Sequence, residues 1–152
     1  PGLSSHVDGD SAGASLLPLL AHAESAVPRR CHSRTPVFLK ATAGMRLLDA
    51  ALRDELLRGV RATLRHSAFR TVGDADNFAR VISGAEEAVY DWLSVNVGRG
   101  ALDGTGTPPL VGVLDMGGAS AQSERRCPLD RSPAARLGVH ATLPPPPRTA
   151  HA

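Results

Sequence analysis

The stretch Val111-Gly-Val-Leu-Asp-Met-Gly-Gly-Ala-Ser-Ala-Gln122 constrains the fold more than any other part of this sequence. Val111, Val113 and Leu114 form a short apolar run of the kind that makes a buried strand. The run ends on Asp115, followed by Gly117 and Gly118, then by Ser120 and Gln122. A strand ending this way delivers a carboxylate to its C-terminal edge, where open α/β sheets bind ligands. Gly117 and Gly118 can turn with positive φ, and without a Cβ their N–H groups can approach a phosphate closely. Ser120 and Gln122, two residues apart, could face the same ligand. A strand closed by a Gly-Gly turn with a polar tail accounts for the same letters without any ligand.

At 152 residues the chain is long enough for one domain with a real core. Aromatic residues are only 3% of the sequence, so Leu, Val and Ala must fill the interior. Lys40 is the single lysine among 17 basic residues, a pattern that coding bias explains. A net charge of +2, with arginines dispersed among carboxylates, argues against a nucleic-acid partner. Cys31 and Cys127 have neither metal-ligand nor CxxC spacing and read as two free thiols in preference to a disulfide, which leaves the compartment open. No apolar run approaches the roughly 18 residues of a spanning helix. The sequence opens at Pro1 without an initiator methionine or signal segment, so it is expected to start inside something larger.

The first helix is expected to be capped by Asp10 or Ser11 and to run to about residue 26, burying Leu16, Leu17, Leu19, Leu20 and Ala23. Pro18 suits only a first turn, which moves the start towards Leu17. Residues 35–41 read as a short strand. A small-residue junction, 41–48, then leads into a long helix to about residue 67. Leu47, Leu48, Ala51, Leu56, Val60 and Leu64 form its apolar face, and the charged residues opposite form a solvated face. Residues 78–82 suit a strand and 85–97 a second helix. There Val89, Trp92, Leu93 and Val97 have core spacing, while Glu86 and Glu87 sit in the first turn, where negative charge suits the helix dipole. Residues 98–109 form a flexible connection. Residues 123–152 hold half of the prolines and no periodic apolar run, and read as a disordered or extended tail. The alternation is β-α-β-α-β behind a leading helix, hence α/β with a mostly parallel sheet. No GxxxxGK[ST], GxSxG or HExxH motif occurs, and the six histidines lack ligand spacing with acidic partners.

Three segments stand in order at natural distances: Lys40-Ala-Thr-Ala-Gly-Met-Arg-Leu-Leu48, Ile82-Ser-Gly-Ala-Glu-Glu-Ala-Val-Tyr-Asp-Trp92 and Leu114-Asp-Met-Gly-Gly-Ala-Ser-Ala-Gln122. They resemble the second, third and fourth signature regions of the nucleoside di- and triphosphatase (apyrase) family. The resemblance covers roughly residues 1–122, and Leu-Asp-Met-Gly-Gly is similar to the organellar (Golgi or lysosomal) branch. It implies an actin-like, ribonuclease-H-type two-lobed fold: residues 1–110 from the first lobe, 111–122 opening the second, and 123–152 as tail. The implied chemistry is attack of water on the terminal phosphate of nucleoside di- or triphosphates (UDP, GDP, ADP, ATP). It would be assisted by Ca²⁺ or Mg²⁺.

By the same resemblance, Glu87 is the general base, and Asp115 binds the cation through water with Gln122 alongside. Ala119 N–H and Ser120 fix the attacking water. Gly117 and Gly118 line the phosphates, as do Thr42 and Ala43. The family's Asp-Xaa-Gly-Ser-Ser-type loop is not among these 152 residues, nor is a β-branched, aromatic strand after Gln122. Ala88 and Asp91 stand at small, glycine-like positions, and Ala121 at a usual Thr. The chain as given is therefore expected not to turn over nucleotide. Residence in the secretory pathway, with membrane anchoring only through segments outside this chain, is implied by likeness. The rival readings are a truncated, non-catalytic nucleotide-binding or interaction product, and a related phosphatase of polyphosphate or an alarmone.

Overall fold

The computed structural model describes residues 2–105, 107–117, 120–125 and 138–142. It is a mixed α/β chain that divides into two compact units, residues 1–82 and 83–152.

In the first unit, helix α1 (Gly9–Ala14) begins on Asp8, whose carboxylate accepts the Ser11 N–H at 2.7 Å. The cap therefore lies before both expected positions. Helix α2 (Leu17–Ala26) carries Pro18 in its first turn, where the missing N–H has no helical partner to lose. Leu20, with Leu16 one turn earlier at the N-cap, is buried, whereas Leu17 and Leu19 are exposed, so the expected stripe is narrower than five residues. Strand β1 (Leu39–Ala41) is shorter than expected, because residues 35–37 form no strand ladder beyond a single bridge of Pro36 to Arg70. The long helix is interrupted. A single turn, α3 (Ala43–Arg46), ends before Asp49 caps α4 (Ala50–His66) by accepting the Leu52 N–H at 3.0 Å.

Helix α4 buries Leu56, Val60 and Leu64 as the spacing predicts, with Leu57 added, while Leu47 stays exposed. Phe78 closes a short helix, α5 (Ala75–Phe78), and does not open the following strand; its ring is buried at 1% exposure. Strand β2 (Ala79–Val81) then pairs parallel with β1, the intervening helices making the crossover that parallel pairing requires.

Helices α1 and α4 cross at glycines. A Cβ on Gly59 would overlap the Gly9 carbonyl oxygen, and one on Gly13 would meet the Thr63 hydroxyl. Two backbones come this close only where neither carries a side chain.

In the second unit, helix α6 (Gly84–Gly98) packs on an antiparallel sheet of order β3-β4-β5: β3 (Val113–Met116), β4 (Ala121–Arg125) and β5 (Gly138–Thr142). The mostly parallel sheet expected from the alternation is thus corrected. Among the described residues, the parallel strand pair is β1 and β2, with a single parallel bridge between Pro36 and Arg70, whereas β3, β4 and β5 pair antiparallel. The end of β4 and all of β5 lie within residues 123–152, the stretch expected to be a disordered or extended tail. Leu114 and Met116 alternate onto an exposed face, at 67% and 76%, so β3 is not buried on both sides.

Candidate active site

Helix α6 opens with a capping box. Ser83 Oγ accepts the Glu86 N–H at 3.1 Å, and Glu86 Oε2 accepts the Ser83 N–H at 3.0 Å. This separates the Glu-Glu pair. Glu86 is occupied at the helix end, whereas Glu87, one residue on, turns towards the sheet.

What meets Glu87 there is Gln122. Its Nε2 donates to Glu87 Oε2 at 3.1 Å and to Ser120 Oγ at 2.6 Å. A carboxylate only accepts, which fixes the amide nitrogen on that side. Gln122 is 1% exposed, and its Oε1 is a buried acceptor without a partner. Asp115 is the cross-strand partner of Gln122, so both side chains leave the sheet on the face that packs against α6. The structure thus brings together Glu87, Asp115, Ser120 and Gln122 from three segments.

Two further residues belong to this arrangement, and sequence reasoning did not assign them. Asp91 lies one helical turn after Glu87, and its Oδ2 is shielded from solvent without a hydrogen-bond partner. Burial pushes its carboxyl above the ordinary carboxylate range, and the charges of Asp115 and Glu87 push it further. Asn96, fully buried, donates Nδ2 to the carbonyls of Trp92 (2.9 Å) and Val111 (3.1 Å) and accepts the Val111 N–H on Oδ1 at 2.9 Å. It holds the backbone two residues before β3, the strand that presents Asp115. The i, i+4 series Glu87-Asp91 and Ala88-Trp92-Asn96 was the signal available for both. Trp92 is a core residue, as its spacing suggests, although its Nε1 lacks a partner.

The glycine turn behaves differently from expectation. Gly117 has no positive φ, and its N–H donates to the Ser120 carbonyl at 2.9 Å, closing the hairpin. A Cβ there would lie 3.3 Å from that same oxygen. Gly118 and Ala119 lie outside the described residues. Thr42 and Ala43 belong to the first unit. Thr42 precedes α3 without making a side-chain cap, and it lines a recess of about 230 Å³ with Ser4, Lys40 and Gly44. A Cβ on Gly44 would sit 2.7 Å from Ser4 Oγ, so a side chain there would displace the Ser4 hydroxyl.

The donor set around Gln122 is carboxylate, amide and hydroxyl oxygen, which suits a hard divalent cation. The orphaned Gln122 Oε1 fits a ligand that brings a donor or a positive charge. Among the described residues, no three His, Cys, Asp or Glu side chains come close enough to hold a bare ion. A cation bound there would be held partly through its own water.

The comparisons give the family. The model of the GDA1/CD39 (nucleoside phosphatase) family matches residues 1–134, and the chain belongs to that family. It is similar to probable apyrase 3 of Arabidopsis thaliana, 41% identical over 125 residues, covering 80% of this chain and 25% of the relative. It is 42% identical over 123 residues to ectonucleoside triphosphate diphosphohydrolase 5 of Ailuropoda melanoleuca, covering 80% and 28%. It is 39% identical over 124 residues to the guanosine-diphosphatase of Schizosaccharomyces pombe, covering 80% and 22%. The chain therefore spans about a quarter of the length of these curated relatives.

Proposed function

We propose that these residues serve hydrolysis of the terminal phosphate of nucleoside di- and triphosphates by cation-assisted attack of water. The observation that carries this reading is the Gln122 amide joining Glu87 on α6 to the strand pair that bears Asp115. Family membership and the relatives' names, which specify a guanosine-diphosphatase and triphosphate-cleaving enzymes, support the substrate class.

Glu87 is the general base: a helix-borne carboxylate, held by the Gln122 amide, that takes the proton of the attacking water. Ser120 and the Ala119 N–H fix that water. Asp115 holds Ca²⁺ or Mg²⁺ through coordinated water, with Gln122 beside it. When bound, the cation neutralises charge on the phosphate oxygens. Gly117 and Gly118 line the phosphates; at Gly117 the missing side chain is what matters, since its N–H closes the turn. Thr42 and Ala43 are assigned to phosphate binding as well.

The wider reading is an actin-like fold in which residues 1–110 belong to the first lobe, 111–122 open the second, and 123–152 follow as a tail. Residence in the secretory pathway or at the cell surface fits the ectonucleoside relatives. The family's Asp-Xaa-Gly-Ser-Ser-type loop is not among these 152 residues, so as a separate polypeptide they are expected not to turn over nucleotide, and turnover is assayed on the protein isolated from its source. The test is phosphate release from UDP, GDP and ATP by the native protein. Release that needs Ca²⁺ or Mg²⁺ and stops with EDTA is expected; release that ignores EDTA contradicts the mechanism, and nucleotide binding without release favours a non-catalytic product.

A further inference from the structure

Asp91 is the one carboxylate of the cluster to which the proposed reaction gives no task. It leaves α6 on the same face as Glu87, and that face packs on β3 and β4, where Asp115 and Gln122 are cross-strand partners. A solvated surface aspartate keeps both oxygens in water. Asp91 instead has Oδ2 shielded and unpartnered, which is unfavourable unless something donates to it.

Gln122 gives an independent observation of the same need. At 1% exposure it sends its amide into the cluster, with Nε2 on Glu87 and Oε1 left bare. Both orphans are acceptors, so the matching partner is a donor. The water shell of a divalent cation supplies donors, and its charge would offset the convergence of Asp91, Asp115 and Glu87 between α6 and the strands.

We propose that Asp91 is a third carboxylate of the divalent-cation site, accepting hydrogen bonds from the water shell of the ion held by Asp115 and setting how tightly that ion binds. This rests on the cation role given to Asp115 above. Outer contacts of this type change metal affinity by about ten- to a hundredfold.

The test is calorimetric titration of Ca²⁺, and separately of Mg²⁺, into the native protein and into Asp91→Asn, Asp91→Gly and Asp115→Asn. Both Asp91 variants are expected to bind about ten- to a hundredfold more weakly, and Asp115→Asn to show no measurable binding. In the metal-free protein, Asp91→Asn should melt no lower than native, since it removes a buried, repelled charge. Native affinity in both Asp91 variants, with Asp115→Asn impaired, overturns the role of Asp91 and leaves the cation site standing. No binding by the native protein, or native affinity in Asp115→Asn, overturns both. A lower metal-free melting point in Asp91→Asn with unchanged affinity makes Asp91 structural and also overturns the proposal.

Discussion

Where α4 meets its neighbours in residues 1–82, the contact is apolar and close: Leu56, Val60, Leu64 and Phe78 are buried, and Gly59 lies against Gly9. Where α6 meets its sheet in residues 83–152, the contact contains buried Asn96, Gln122 and Ser120. It leaves Asp91 Oδ2, Trp92 Nε1 and Gln122 Oε1 without partners. The first arrangement is what stability alone favours. The second gives up hydrogen bonds at one place, as a binding site does when its partner completes the set.

The contrast can be broken at its tightest point. Gly59→Ala drives a methyl group into the Gly9 carbonyl and should destabilise the first unit by about 3 kcal/mol. Urea unfolding followed by far-UV circular dichroism reads this; an unchanged midpoint means α1 and α4 are not in close contact. Asn96→Ala strands the Val111 N–H and carbonyl and should cost about 2 kcal/mol. Fluorescence of Trp92, the only tryptophan, reports the second unit and should show the shift.

The smallest effect concerns Asp8 and depends on pH. The Ser11 backbone N–H holds its carboxyl below the ordinary range, helped by the Ser11 hydroxyl. Asp8 thus stabilises α1 fully above the usual carboxylate pKa, and that stabilisation is lost as pH falls through the lowered value. Asp8→Ala should therefore be less stable than native at neutral pH, with the difference vanishing in acid. A difference that grows in acid contradicts the capping role.

How far the sequence disclosed this molecule follows from the same contrast. The periodic face of α4 was legible in Leu56, Val60 and Leu64 because apolar burial repeats with the helix. The interruption at Asp49 was not, since a cap inside an otherwise helical pattern changes no periodicity. The hairpin direction was hidden because Gly117 and Gly118 suit a ligand loop and a tight turn equally. At the site, the motif residues Glu87, Asp115, Ser120 and Gln122 were each singled out beforehand. Asp91 was noted only as a departure from a glycine-like position and Asn96 was not noted, because their roles depend on which strands lie across from α6. Pairing across elements is tertiary information, and one chain carries it only as a pattern of small and polar residues.

The most direct measurement is phosphate release from GDP by the native protein and its Glu87→Gln variant in saturating Mg²⁺ or Ca²⁺, with nucleotide affinity measured alongside. A base held by the Gln122 amide predicts turnover reduced by about a hundred- to ten-thousandfold with nucleotide affinity retained. Native turnover in Glu87→Gln contradicts the assignment at its centre.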